Sequence, residues 1–240
     1  MATQQGRGGY LEEPVSWGSM KALIFDLDGT LVDSVYAHTV AWQRALAEAG
    51  IDVPACQIHY RVGLSGRLLV KGITRLHHRR PLSDRDIGHL EKRHAALFSK
   101  LFPHCAPLPG AVSLLQFLHK SKIAHGIATT GKRPEIRPAL KALGIDGKTL
   151  VVDGTSVERA KPDADLFIEC QRRLGFPASE CLIVGDAIWD MHAAQRAGIF
   201  AVALLSGGFS EQDLYNAGAR RVYADAAELH QSLDELAVLP

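Results

Sequence analysis

The sequence predicts an α/β fold in which a doubly wound parallel sheet carries a small helical cap domain inserted after the first strand. Three observations support this prediction. Short apolar runs end in small or acidic residues, helical patterns follow most of them, and one long helical interval separates the first run from the second. Strands that are buried on both faces of a parallel sheet have such runs, and ligands bind beyond the carboxyl ends of these strands.

Apolar runs mark the predicted strands. In chain order they are KALIFDLD (21–28), KIAHGIATT (122–130), TLVVDGT (149–155), ECLIVGD (180–186) and IFAVALL (199–205). Helices are predicted where Val112, Leu115 and Leu118 share one face, from near Pro134, Asp163 and Trp189, and over 225–237. This alternation is typical of a Rossmann-like sheet with helices on both faces.

The interval between the first two strands, roughly 90 residues, is too long for a single crossover helix. A helix is predicted over 35–49, after a possible Ser34 cap. Another starts at Ser83, whose spacing to Asp86 is that of a capping box. Its apolar stripe consists of Ile87, Leu90, Leu97 and Leu101. The interval is therefore predicted to be helical throughout, and prolines then mark the return to the main domain.

These patterns divide the chain into three parts. Residues 35–106 form the predicted cap domain, and residues 20–34 together with 107–240 form the core domain. Residues 1–19 have neither the apolar segment of a secretory signal nor the arginine-rich pattern of a transit peptide. We therefore interpret them as a native extension or a cloning tag and leave them out of the fold prediction.

Composition favours a cytoplasmic enzyme. Hydrophobic residues make up 47% of the 240 residues, charged residues 22%, and no run approaches the roughly 20 apolar residues of a membrane helix. The 27 lysines and arginines nearly balance the 26 acids, which argues against a nucleic-acid partner. The scattered cysteines suit reduced thiols better than disulfides. A monomer and a homodimer both remain open.

The strongest motif is Asp26-Leu27-Asp28-Gly29-Thr30, at the end of the first predicted strand. Where a chain leaves a strand, two carboxylates two residues apart can both point into one site, and a divalent cation can offset their repulsion. One carboxylate can then attack phosphorus while the other handles the proton of the leaving group. The alternative, that these acids only cap a turn, does not explain their position at the end of a buried strand.

The block FDLDGTLVDS (25–34) resembles the first motif of the haloacid dehalogenase superfamily, in its phosphatase-like branch with an inserted helical cap. The resemblance extends over nearly all of residues 21–205. It implies that Asp26 is the nucleophile that forms an aspartyl-phosphate and also a ligand of Mg²⁺. It implies that Asp28 is the general acid and base, with its backbone carbonyl on the metal.

Three later motifs follow in the order that the resemblance implies. Thr129, with Thr130 beside it, ends the second strand, where hydroxyl and amide groups can bind phosphoryl oxygens. Lys161 corresponds to the cation that balances the nucleophile and the transferred phosphoryl group. Asp186 is the expected further carboxylate on Mg²⁺, and Asp190 is expected to bind the metal through water or to hold Lys161.

The predicted cap suggests how a substrate is recognised. No acid occurs between Val53 and Ser83, while several arginines and histidines do. This basic stretch is either a solvated face or an attraction for an anionic substrate. The segment GLSGR (63–67) resembles the substrate-recognition segment of related caps, so Arg67 is the candidate for contacting the end of the substrate that does not react.

The favoured function is therefore that of a Mg²⁺-dependent phosphatase acting on a small phosphorylated metabolite such as phosphoglycolate or a sugar phosphate. A phosphoglucomutase-like transfer within a sugar phosphate is the main alternative. Dehalogenation is weaker, because such relatives generally lack the carboxylate that Asp28 supplies, and phosphonate cleavage would need a Schiff-base lysine. A non-catalytic scaffold that binds phosphate ligands is disfavoured by the presence of Asp26, Asp28, Lys161 and Asp186.

Overall fold

A computed structural model describes residues 19–77, 81–101, 103–104, 106–145, 147 and 149–238. The predicted N-terminal extension lies outside these ranges apart from Ser19. The strands are β1 (Ala22–Phe25), β2 (Ala124–Ala128), β3 (Leu150–Val152), β4 (Cys181–Gly185), β5 (Phe200–Leu204) and β6 (Val222–Tyr223). They form one parallel sheet in the order β3-β2-β1-β4-β5-β6, which confirms the predicted doubly wound architecture.

The helices alternate with these strands after β2. They are α1 (Val35–Glu48), α2 (Ala55–His59), α3 (Gly66–His77), α4 (Asp84–Leu101), α5 (Ala111–Lys120), α6 (Arg133–Ala142), α7 (Asp165–Leu174), α8 (Ile188–Ala197), α9 (Glu211–Asn216) and α10 (Ala226–Gln231). No helix in the described part of the chain combines the length and the apolar character needed to span a bilayer.

The sheet is covered on both faces because successive residues of a strand point to opposite sides. In β1, Leu23 and Phe25 pack into a core with α5, α6 and α10, whereas Ala22 and Ile24 pack into a second core with α7, α8 and α9. All residues of β1 are buried, as its continuous apolar run predicts. The acidic motif begins directly after the carboxyl end of this buried central strand.

Helices α1 to α4, which we call the helical insert (residues 35–101), have apolar clusters of their own. The larger cluster joins Trp42 and Leu46 of α1 to residues of α2, α3 and α4. The predicted stripe of α4 contributes to these clusters through Ile87, Leu90 and Leu97. The insert thus packs around its own core, although the exact domain boundaries at 34/35 and 106/107 stay a prediction.

Some local predictions are corrected. Ser34 lies at the cap position of α1, but its hydroxyl makes no capping bond and donates to Asp28 instead. The helix predicted from near Asp163 begins two residues later, at Asp165. The last helix covers 226–231 rather than 225–237, and β6 was not predicted because two residues form no recognisable pattern. Ser83 caps α4 as predicted, since its oxygen accepts from the amide of Asp86, but the carboxylate of Asp86 accepts from the Ser83 hydroxyl rather than from its amide.

Candidate active site

The predicted acidic residues meet at one edge of the sheet. Strand β1 lies between β2 and β4, so the residues that follow the three strands are neighbours in space. Asp26 follows β1, Asp186 follows β4, and both side chains are buried. Lys161, from the loop before α7, is fully buried beside them. Burial of this many charges in one place requires that they balance one another.

Lys161 provides that balance by pairing with two carboxylates at once. Its Nζ lies 2.5 Å from Oδ1 of Asp26 and 2.7 Å from Oδ1 of Asp190. Burial alone lowers the pKa of the Lys161 ammonium, but the charges of Asp190 and Asp26 outweigh burial and raise its pKa above the ordinary value. Lys161 is therefore a permanent cation that fixes one oxygen of Asp26.

Asp190 is held too firmly to move towards a ligand. Its Oδ2 accepts from the backbone amides of Asp186 and Ala187 at 3.2 and 3.0 Å, at the start of α8, while its Oδ1 faces Lys161. Both oxygens of this carboxylate are thus occupied. Of the two roles expected for Asp190, the geometry favours holding Lys161 in place.

Asp186 is positioned by a hydroxyl on one side and by glycines on the other. Its Oδ1 accepts from the Thr30 hydroxyl at 2.7 Å. Its Oδ2 packs against Gly29 and Gly207, where an added Cβ would overlap it. Gly29 also has a φ of +86°, which residues with a side chain rarely adopt. The glycine of the first motif therefore serves the turn and the close approach of Asp186 together.

The donor set fits a hard divalent cation. Oxygen atoms of Asp26, Asp186 and Asp190 lie within 4.8 Å of one another, and all of these residues are buried. One lysine does not neutralise these carboxylates if all are ionised, so the cluster is short of positive charge. Mg²⁺ takes carboxylate oxygens and keeps several waters. Asp186 retains an oxygen that is not bonded to Thr30, and Oδ1 of Asp26 has a second lone pair beside the one that faces Lys161, so Asp26 and Asp186 are the residues that would hold the ion.

The pKa values reflect the same shortage of positive charge. Burial raises the pKa of Asp26 to about 7, against the opposing effect of Lys161, and Asp190 and Asp28 raise it further. Burial, Asp190 and Asp26 raise the pKa of Asp186 well above its ordinary value. In the metal-free protein both carboxyls therefore hold their protons to higher pH than an ordinary aspartate does, and a bound cation would displace those protons.

Asp28 has different surroundings, which the sequence did not reveal. It is partly exposed to the cavity, and its Oδ1 accepts from the Ser34 hydroxyl at 2.5 Å and lies 3.3 Å from Nε2 of His38. Burial raises the pKa of Asp28, but the bonds from His38 and Ser34 outweigh burial and lower it below the ordinary value. On the other side of His38, Nδ1 lies 3.1 Å from Nε2 of His94.

Two threonines end the second strand, and they differ in role. The buried Thr129 hydroxyl accepts from the amide of Gly131 at 3.1 Å and so shapes the loop after β2. Thr130, the next residue, lines the cavity that contains Asp26 and Asp28. Thr130 is thus the better placed of the two to meet a substrate, while Thr129 lies behind it.

This cavity, of about 110 Å³, lies between the strand ends and the helical insert. The insert contributes Trp42, Leu64, Glu91 and His94 to its wall. Among the described residues Arg67 is not part of that wall: it is exposed on α3 and pairs with Asp84. The structure therefore does not bring Arg67, the candidate for substrate recognition, to Asp26 and Asp28. Arg79 and Arg80, from the same basic stretch, lie outside the described residues.

The helical insert is held over the site by polar contacts with the core. The Trp189 indole donates to the Tyr60 carbonyl at 2.9 Å, and Nε2 of His59 lies 2.8 Å from the Gly207 carbonyl. The Ser65 amide donates to the backbone carbonyl of Lys161 at 3.3 Å. These contacts join α2 and the segment between α2 and α3 to the segments that follow β3, β4 and β5, so they fix the helical insert against the carboxyl ends of the strands.

Comparisons with known proteins agree with this geometry. A family model described as haloacid dehalogenase-like hydrolase matches residues 23–204. A phosphoglycolate phosphatase of Rhodospirillum rubrum is 32% identical over 217 residues, which are 87% of this chain and 89% of the relative. A beta-phosphoglucomutase of Bacillus subtilis is 32% identical over 203 residues, 78% of this chain and 84% of the relative.

A solved structure extends the likeness to three dimensions. It is described as a hydrolase from Pseudomonas syringae, and it is 42% identical in sequence with a TM-score of 0.86. The match covers 91% of this chain and all of the other. Since the family model covers well over half of the chain and the site residues lie where the fold brings strand ends together, the chain belongs to the haloacid dehalogenase-like hydrolases.

Proposed function

We propose that this protein is a Mg²⁺-dependent phosphatase that hydrolyses a small phosphorylated metabolite through an aspartyl-phosphate on Asp26. The observation that carries the proposal is that Asp26 and Asp28 line one enclosed cavity, while Lys161 holds only one oxygen of Asp26. The other oxygen is left to attack a phosphorus atom. Family membership and a relative named phosphatase support the same class of reaction.

In the first step, the Asp26 carboxylate attacks phosphorus, the bond from phosphorus to the leaving oxygen breaks, and Asp28 gives its proton to that oxygen. Asp28 is ionised in the empty site because its pKa is lowered. Arrival of a phosphate with two negative charges beside Asp28 raises the pKa of this carboxyl and so favours the protonated form. The substrate thereby helps to prepare its own general acid.

In the second step, Asp28 takes a proton from water, the water oxygen attacks phosphorus, and the bond to Asp26 breaks to release phosphate. Lys161 balances the charge on Asp26 throughout, and Thr130 offers a hydroxyl and an amide to phosphoryl oxygens. Mg²⁺, when bound by Asp26 and Asp186, offsets the repulsion between the phosphoryl oxygens and these carboxylates.

We further propose that the helical insert is the cap that limits the substrate to a small molecule, since the cavity is only about 110 Å³. It would also exclude water until the first step is complete. Three predictions from the sequence are retained. They are a cytoplasmic location, a monomer or a homodimer, and the absence of a nucleic-acid partner.

A mutase is the second candidate, because the relative from Bacillus subtilis that is named beta-phosphoglucomutase is as similar as the phosphatase. A mutase would return the phosphoryl group from Asp26 to a second hydroxyl of the sugar, with Asp28 exchanging the proton. One assay distinguishes the phosphatase activity from the mutase activity. A phosphatase releases inorganic phosphate from a sugar phosphate, whereas a mutase yields an isomeric sugar phosphate and little free phosphate.

The decisive experiment measures phosphate release from p-nitrophenyl phosphate with and without Mg²⁺. We expect metal-dependent turnover by the wild type, loss of at least about 10³-fold in Asp26→Asn, and wild-type activity in the exposed Asp52→Asn control. Undiminished activity of Asp26→Asn, after deamidation back to aspartate has been excluded, would overturn the nucleophile assignment. Inactivity of the wild type on this ester and on a panel of sugar phosphates and phosphoglycolate would overturn the hydrolase proposal.

A further inference from the structure

The wall of the cavity that faces the catalytic aspartates contains an acidic side chain. Glu91, on α4 of the helical insert, lines the same cavity as Asp26 and Asp28 and is half-buried. No described residue forms a hydrogen bond or an ion pair with its carboxylate. A carboxylate that lines a cavity without a partner among the described residues can accept hydrogen bonds from a ligand in that cavity.

The surroundings of Glu91 keep its carboxylate in that position. A Cβ placed on Gly66 would lie 3.0 Å from Oε1 of Glu91 and 3.1 Å from Cζ2 of Trp42, so a side chain there would force both neighbours to shift. Trp42 is in turn stacked on His94, with ring centroids 4.1 Å apart. The absence of a side chain at Gly66 thus leaves the space in which carboxylate and indole lie side by side.

The cations of the helical insert point elsewhere. Arg67 pairs with Asp84, Arg93 forms two bonds with Glu48, and Arg61 donates to the backbone carbonyl of Gln57. Within the described residues, the insert therefore lines the cavity with one carboxylate and with no lysine or arginine, and its histidines there are His38, which contacts Asp28, and His94. The cation on the wall, Lys132, comes from the core side and is exposed.

We propose that Glu91 is a specificity-determining residue that accepts hydrogen bonds from donor groups on the leaving alcohol. This inference rests on the proposed phosphatase function. It assigns the substrate class as phosphomonoesters whose far end bears hydroxyl or ammonium groups, and it disfavours a second anion at that end, because two carboxylates in one small cavity repel each other. Phosphoglycolate, which carries such an anion, is then a poor substrate.

The test compares kcat/KM for glycerol 1-phosphate, phosphoethanolamine and phosphoglycolate, with p-nitrophenyl phosphate as the reference. We expect the wild type to prefer glycerol 1-phosphate over phosphoglycolate by at least about tenfold. Glu91→Gln lowers that ratio by about threefold or more, and Glu91→Lys reverses the preference. Glu211→Lys, an equal charge change at an exposed position outside the insert, leaves the ratio unchanged. A rate for phosphoethanolamine above that for glycerol 1-phosphate identifies the favoured donor as ammonium.

The outcomes separate this inference from the proposed function. Asp26-dependent cleavage of p-nitrophenyl phosphate together with a preference for phosphoglycolate, or a ratio that neither Glu91 variant changes, overturns the role of Glu91 and leaves the phosphatase proposal standing. Absence of any turnover overturns the phosphatase proposal. In that case calorimetry still decides the inference. It measures the binding of the same three esters to the wild type, to Glu91→Gln and to Asp26→Asn, and equal affinities in all three proteins contradict the inference.

Discussion

His38 and His94 face each other nitrogen to nitrogen, with Nδ1 of the first 3.1 Å from Nε2 of the second. Only one proton fits between them, so one ring donates and the other accepts. Burial lowers the pKa of His94 well below its ordinary value, and His38 lowers it further against a small opposing effect of Asp28. His94 is therefore neutral, and it supports His38 whether His38 carries one proton or two.

The first prediction concerns the effect of His38 on Asp28. In His38→Asn, Asp28 loses the largest of the interactions that hold its pKa down, so the basic limb of the pH profile of kcat/KM, where the general acid loses its proton, moves to higher pH. Asp28 also loses a partner that orients its carboxylate, so kcat near neutral pH falls by about tenfold. His89→Asn, at an exposed position of α4, is the matched control. An unshifted limb in His38→Asn would show that Asp28 does not depend on this ring.

Removal of the buried cation has two consequences. Lys161→Met leaves Asp26 and Asp190 without their partner, so the free energy of unfolding in urea falls by about 3–5 kcal/mol. Turnover of p-nitrophenyl phosphate falls by at least about 10³-fold. The control Lys141→Met replaces an exposed lysine on α6 and should change neither quantity appreciably. A variant that is as stable as the wild type would contradict the charge balance that we describe.

A comparison of alanine variants at Gly29 and Gly50 distinguishes the effect of backbone strain from an effect on the proposed metal site. Gly29 and Gly50 have similar φ values, +86° and +75°, but a Cβ overlaps Asp186 at Gly29 and meets nothing within 4 Å at Gly50. Gly50→Ala costs about 1–2 kcal/mol of stability because of the left-handed backbone, and Gly29→Ala costs more because its Cβ also overlaps Asp186 and Val35. Only Gly29→Ala should also raise the Mg²⁺ concentration needed for half-maximal activity. Equal metal dependence of the two variants would argue that Asp186 is not a ligand.

Metal-free protein should become less stable as the pH rises from about 4 towards about 7. The pKa of Asp26 is raised from 3.8 to about 7 and that of Asp186 is raised as well, so the folded state binds more protons than the unfolded state across this window. Mg²⁺ favours the ionised carboxylates, and its stabilisation should therefore grow with pH. Thermal unfolding with EDTA and with Mg²⁺ at pH 5, 6 and 7 measures both trends. A Mg²⁺ shift that is equal at all three values would refute this coupling.

The sheet and the acidic site were predictable because their signals are local. Each long strand is a continuous apolar run, and the carboxylates of Asp26 and Asp186 directly follow two of these runs. The contact between His38 and His94 joins residues that are 56 positions apart in different helices, so no window of sequence contains it. It depends on how α1 packs against α4.

The direction of the Arg67 side chain was not predictable from the sequence. Its basic neighbourhood favoured a role in substrate recognition, but side-chain direction on a helix is set by packing rather than by composition. Arg67 points to Asp84 at the surface, while the neighbouring Gly66 faces the cavity. The insert instead brings Glu91 to the wall, one acid among several on α4 that nothing in the sequence distinguishes.

Lys161 takes part in the closed site through both its side chain and its backbone. The ammonium holds Asp26 and Asp190, and the carbonyl accepts from the Ser65 amide of the insert. A displacement of the insert would therefore act on the backbone of the same residue whose ammonium balances Asp26. The position of the insert and the position of that cation are linked through one residue.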